Sequence, residues 1–276
     1  MSEQHAPPSD PPAVSVDTDH PRAPLRWWVE ILLTLAFYAV YSAIRNQFGS
    51  ALGQSIKDDA FDNARRVIDI ERAIGLYHEE WVHNRFVDWD GFIIFWNVFY
   101  GSLHFIVTIG TMIFLFCRWP SRYTFMRSTL CAMTGIALVG FAFFPLMPPR
   151  LLSNCASPFG ACVPGFDYVD TLVEPGGLWS FESGTMEAIS NQYAAMPSLH
   201  IGWAVWCTIG LYPALRRRWT RIAIVTYPVL TFFSIIVTAN HYWIDAVGGL
   251  IALAIGLRIA PSLTRLLPGP NGTLAP

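Results

Sequence analysis

The chain has 276 residues, of which 53% are hydrophobic and only 14% charged, and its mean hydropathy is +0.37. Soluble domains carry roughly a quarter charged residues, so the composition excludes an ordinary soluble protein and implies a chain built for a membrane. A net charge of −2 offers no basic surface for nucleic acid.

Residues 1–24, rich in Pro, Ser and Asp with almost no large apolar side chains, predict a disordered tail. A first span is expected over 27–43. Arg22 and Arg26 precede it, and basic residues stay cytoplasmic, so it should run outward with Glu30 at the inner headgroup level. Between 45 and 90 the chain turns polar. Asp62, Arg65, Arg66, Asp69, Arg72 and Glu79 alternate with Phe61, Ile68, Ile70, Ile74 and Leu76, a pattern of amphipathic helices on the outer surface. His78 and His83 are five apart, whereas a zinc-binding helix needs four, so this segment reads as a solvated helix face. A second span over 92–117 ends inside at Arg118 and Arg122. Tyr100 and His104 share one face in its outer half, either as site residues or as a hydrogen-bonded pair between helices.

The third span, 125–146, returns outward to Met147-Pro148-Pro149-Arg150. The prolines end the helix and hold Arg150 at the outer boundary, where an Arg can also simply reach lipid phosphates. An outer loop over 151–196 is long enough for a lid or a substrate-binding segment. It carries Asp167, Asp170, Glu174, Glu182 and Glu187 and no Lys or Arg after Arg150. Cys155 and Cys162 share that loop and pair if it faces an oxidising compartment. The fourth span opens at Pro197-Ser198-Leu199-His200 and runs inward to 215, where Arg216, Arg217, Arg218 and Arg221 give the strongest positive-inside signal. A fifth over 222–239 and a sixth over 242–259 follow, then Arg265 in a short cytoplasmic tail over 263–276.

The expected fold is therefore all-α: a polytopic membrane helical bundle of about six transmembrane helices, with an amphipathic outer-surface helical segment. Each span is near the ~20 residues a bilayer requires. The membrane-embedded domain covers 25–262, both termini are cytoplasmic, and the plasma membrane is the expected location.

Parity brings Arg150, His200, His241 and Asp245 to one face of the membrane. His241 and Asp245 are four apart, so on a helix the carboxylate can hold the imidazole and make it a base or a nucleophile. Arg150 offers a planar fork for phosphate. Ser198 stands at a helix start, where free amides attract an anion, and also suits a plain N-cap. Two histidines flanking a phosphate permit attack by one and leaving-group protonation by the other. No carboxylate cluster calls for a metal, and no cofactor is expected. A serine-hydrolase reading of Ser198, His241 and Asp245 lacks the Gly-x-Ser-x-Gly turn.

Met196-Pro197-Ser198-Leu199-His200 together with His241-x-x-x-Asp245 resembles the type 2 phosphatidic acid phosphatase superfamily. With Pro148-Pro149-Arg150, the motifs look most like its inositol phosphorylceramide synthase branch. The resemblance implies a phosphohistidine formed on His241, oriented by Asp245, with His200 protonating the departing oxygen and Arg150 binding phosphate. The chain departs from the superfamily pattern at Leu199, at Ser234-Ile235, at Ala142 and at Leu151, which removes several phosphate-binding cations. Arg65, Arg66, Arg72, Tyr100 and His104 are the candidate replacements. The implied activity is an integral-membrane phosphatase or phosphotransferase acting on a phospholipid or prenyl phosphate, with water or a polyol-like alcohol as acceptor. A transporter or scaffold that binds an anionic lipid is the non-enzymatic alternative.

Overall fold

A computed structural model of the protein describes residues 27–48, 54–173 and 191–266. The tail expected over 1–24, the chain beyond Leu266, and Glu174, Glu182 and Glu187 lie outside the described residues. Within them the chain is all-helical: α1 (Trp27–Phe48), α2 (Gln54–Ala73), α3 (Glu79–Phe86), α4 (Asp90–Arg118), α5 (Pro120–Phe143), α6 (Leu199–Leu211), α7 (Arg218–Val237) and α8 (Trp243–Leu266).

Four of these, α4, α5, α7 and α8, are long and apolar enough to cross a membrane. Their outward faces carry exposed Ile109 and Ile113, Val225 and Val229, and Ile251 and Ile255, as expected for surfaces that meet lipid rather than water. Of the other two expected spans, α1 is apolar over Trp27–Ala36, the part of it that the described residues allow to be judged. In α6 the 13 helical residues cover ~20 Å at 1.5 Å per residue, because the helix starts at buried Ser198 rather than at a surface.

Local chemistry sets the helix ends. Pro120 opens α5 at a position where its missing N–H costs nothing. Phe144 leaves the helical region immediately before Pro145. The lower core joins α4, α5, α6, α7 and α8 through Leu115, Met126, Met133, Trp206, Tyr227 and Leu253, and Trp206 donates its indole N–H to the Met126 carbonyl at 2.9 Å. The antiparallel helices α5 and α8 pack along their length. Glu30, expected at the inner headgroup level, does not stand free at a surface. It is buried and takes hydrogen bonds from Arg127 and Tyr123 of α5, because α1 lies against that helix.

The amphipathic segment is two helices, and it turns part of its apolar side inward while Ile70, Ile74 and Leu76 stay exposed. Ala60, Ala64, Val67 and Ile68 of α2 pack on Leu146, Met147, Tyr193 and Tyr242. Asn63 donates to the Pro145 carbonyl at 2.9 Å, and the Met147 amide donates to the Ala60 carbonyl at 3.1 Å. The expectation of a solvated face around His78–His83 is corrected as well. Glu79 and His83 are wholly buried, since α3 packs against α7, while His78 and Trp81 are exposed.

Candidate active site

His241 lies in the short turn between α7 and α8, and the end of α7 fixes it there. Ala239 adopts φ +53°. Its N–H bonds to the Ile236 carbonyl at 2.9 Å, and the Asn240 N–H bonds to Ile235 at 3.0 Å, the paired bonds of a Schellman termination. A left-handed alanine costs roughly 1–2 kcal/mol. The Ala239 carbonyl also accepts the Arg150 amide at 2.8 Å, which ties the His241 turn to the Pro148–Pro149–Arg150 turn. His241 donates Nδ1–H to Asp245 Oδ2 at 3.1 Å, and the same oxygen takes the Tyr242 amide at 2.9 Å. That tautomer leaves the Nε2 lone pair free to attack.

His200 sits one position into α6. Its ring stacks on Tyr100 at 4.3 Å, meets His104 edge-on at 4.3 Å, and stands 5.6 Å from the His241 ring. Its Nε2 is buried with no hydrogen-bond partner among the described residues. A buried polar atom left open beside a second imidazole suits a ligand group. Tyr100 and His104 present themselves to His200 through a π-helical stretch, Phe99–Leu103, within α4; such stretches recur at functional sites. The Tyr100 carbonyl accepts His104 Nδ1–H at 2.8 Å, so His104 is fixed behind His200.

Arg150 is buried and extends three hydrogen bonds: Nε to Asn240 Oδ1 at 3.0 Å, Nη1 to Asp170 Oδ2 at 2.6 Å and Nη2 to Gln192 Oε1 at 2.6 Å. It is therefore not a snorkelling surface residue. Tyr100, Arg150 and His241 open onto a cavity of about 60 Å³, lined also by Asn191, Gln192 and Asn240. Ser198 precedes α6, but its Oγ makes no capping bond and is buried without a partner among the described residues. Its amide donates instead to the Asp245 carbonyl at 2.9 Å, which locks the starts of α6 and α8 together.

His83 holds the loop that carries Asp170. Its Nδ1–H donates to the Val237 carbonyl at 2.9 Å, and Nε2 accepts the Val169 amide at 3.1 Å. Burial draws its pKa below the ordinary 6.5. Cys155 and Cys162 of the same loop form a disulfide, with Cα atoms 4.3 Å apart.

The predicted His241, Asp245, His200, Arg150, Tyr100, His104 and Ser198 thus come together at one end of the bundle. The turns carrying Arg118 and Arg122, and Arg216 to Arg221, lie at the other end, where Arg122 bonds the Ile209 carbonyl at 2.8 Å. Arg65, Arg66 and Arg72 do not join the site. They are exposed on α2, with Arg72 stacked over Tyr77. Sequence reasoning missed Asp170, Gln192 and Asn240 as partners of Arg150. Only Asn240, adjacent to His241, carried a signal.

The search of curated proteins and that of solved structures returned no match. The family model described as the PAP2 superfamily matches residues 65–259, a range that holds every residue named at the site. The chain belongs to the PAP2 superfamily.

Proposed function

We propose that the chain is an integral-membrane lipid phosphatase or phosphotransferase working through a phosphohistidine on His241. The observation that carries the reading is the His241–Asp245 pair, with the His200 ring 5.6 Å from His241 and the Arg150 guanidinium on the same cleft as His241. Members of this superfamily are typically phosphatases.

In the first step His241 Nε2 forms an N–P bond while the P–O bond to the leaving group breaks. The departing oxygen keeps the bonding electrons and takes the proton from protonated His200. In the second step water or an alcohol adds to phosphorus, its proton passes to His200, and the N–P electrons return to His241. Asp245 stabilises the His241 cation that forms in between. Arg150 binds the phosphate oxygens through its outer nitrogens. Because Asp170 already balances its charge, a monoanionic phosphodiester suits the site better than a dianionic monoester, and a phospholipid headgroup better than a free terminal phosphate. A polyol-like acceptor fits the amide-lined cleft of Asn191, Gln192 and Asn240.

The reading includes six traverses, with α1 and α6 completing the four long helices, both termini cytoplasmic and the site outside the plasma membrane. The loop disulfide agrees with that sidedness. Every step runs through side chains, so turnover should withstand a chelator. The test is trapping of ³²P on purified protein from a labelled phospholipid. Label in the native chain and none in His241→Ala supports the reading; label that persists in His241→Ala overturns it.

A further inference from the structure

The helix that starts beside His241 has its leading amides held by carboxylates from three elements. Tyr242 N–H goes to Asp245 of α8 itself at 2.9 Å, Trp243 N–H to Glu79 Oε1 at 3.0 Å and Ile244 N–H to Glu71 Oε1 at 2.8 Å. Glu71 lies in the last turn of α2 and Glu79 opens α3, and both are wholly buried. These bonds take the place of an ordinary N-cap for α8, and they are supplied from outside it.

Each of the two carboxyls has a second oxygen to account for. Oε2 of Glu71 and Oε2 of Glu79 are buried, and neither meets a donor among the described residues. The two groups stand within hydrogen-bond reach of each other, but two carboxylates have no proton to share. One proton placed between them turns that contact into a hydrogen bond. It also leaves a single negative charge at a helix N-terminus, where the dipole favours it.

We propose that Glu71 and Glu79 hold one proton between them and act as positioning residues for His241 and Asp245, so that the catalytic geometry persists only while that proton is present. Burial, followed by the hydrogen bond and charge of Glu79, pushes Glu71 up to about 9, and Asp245 adds repulsion of the same sign. The other titratable groups facing the pair are Tyr242 and Tyr168, both kept neutral by burial. Arg72 is turned away onto the Tyr77 ring, 4.7 Å from its centroid. Loss of the proton sets two carboxylates against each other beside Asp245. One of them must withdraw, its amide on α8 loses a partner, and Asp245 moves relative to His241.

The proposal rests on the catalytic reading above, so its test pairs turnover with a readout that needs none. The first measurement is the pH profile of kcat and KM on a phospholipid for the native protein, Glu71→Gln and Glu71→Ala. The native profile should fall on the alkaline side with a midpoint at about 9. Glu71→Gln offers an oxygen to Ile244 and an N–H to Glu79, so it should keep kcat within about threefold at neutral pH and lose that alkaline limb. Glu71→Ala should lose kcat by about 100-fold with little change in KM. The second measurement is the infrared carbonyl stretch of a protonated carboxyl, present in the native protein at neutral pH, titrating away at the same midpoint and missing in Glu71→Gln. Absence of that band, an alkaline limb unchanged in Glu71→Gln, or full activity in Glu71→Ala overturns the proposal. The band together with no turnover on any phosphate lipid counts for the shared proton and against the reaction.

Discussion

Gly249 offers the sharpest test of how α6 and α8 are joined. A Cβ at this position would stand 2.2 Å from the Ser198 carbonyl oxygen and 3.1 Å from its carbon, backbone atoms that cannot rotate aside as a side chain would. Relief to an ordinary contact must displace one helix from the other by about 1 Å, since packed interiors transmit such strain rather than absorb it. Overpacking of this kind costs about 1–3 kcal/mol of stability. The larger effect is on turnover. His200 rides on α6 while His241 is held by Asp245 at the start of α8, so the shift separates the proposed acid from the proposed nucleophile. A misplacement of ~1 Å costs on the order of 100-fold in rate, or about 2.7 kcal/mol of barrier. The assay is kcat on a phospholipid alongside the thermal midpoint in one detergent, for Gly249→Ala and for Gly135→Ala, whose Cβ would meet nothing within 4 Å. Gly249→Ala should lose turnover far more than stability while Gly135→Ala keeps both. Native kcat in Gly249→Ala would refute the argument, as would an equal loss in Gly135→Ala.

Asp170→Asn should lower the stability of the ligand-free protein by about 3–5 kcal/mol, because it leaves the buried Arg150 guanidinium without its counter-charge. The same change should tighten binding of inorganic phosphate, measured as a larger rise in thermal midpoint than in the native protein; an equal rise in both removes the account of Asp170 as Arg150's resting partner. His83 is neutral in the folded chain, with its pKa drawn below the unfolded value of 6.5 by burial. Its contribution is therefore complete above 6.5 and declines as pH falls from there toward the folded pKa. Thermal midpoints from about pH 7.5 down to 5 should fall in the native protein and fall less in His83→Gln, and parallel curves would exclude His83 as the group responsible. Cys155→Ser opens a loop of sequence separation 7, worth about 2.5 kcal/mol by loop-closure entropy. An unchanged denaturation midpoint under oxidising conditions would show that the loop owes nothing to the bridge.

The gathering of His241, Asp245, His200 and Arg150 at one end of the bundle was legible because helix ends alternate between faces and Arg clusters mark one of them. Local spacing gave the His241–Asp245 contact directly. What lay beyond reach were contacts made through irregular backbone. Asp170 meets Arg150 across 20 residues of loop, and no periodicity survives such a path. Glu79 and His83 read as solvated because their helix is polar in sequence, yet packing against α7 covers them. Glu30 looked like an interfacial carboxylate because its partners, Arg127 and Tyr123, lie on a helix far along the chain. The length of α6 was overread because apolar residues continue on both sides of a helix that begins inside the protein. In each case tertiary context overrode a pattern that was locally sound.

The widened turn over Phe99–Leu103 makes length matter more than composition in that part of α4. A single extra residue advances everything after it by about 100° around the axis. It lets one rod show Tyr100 and His104 to the same histidine while its far half still shows Ile109 and Ile113 to lipid. Removing one residue there would restore plain α-winding, a relief for the helix taken by itself. It would also swing one flank of the wedge that grips His200 out toward the hydrocarbon. Tyr100 apart, point substitutions in these positions are therefore the mild lesions, and a one-codon deletion is the severe one.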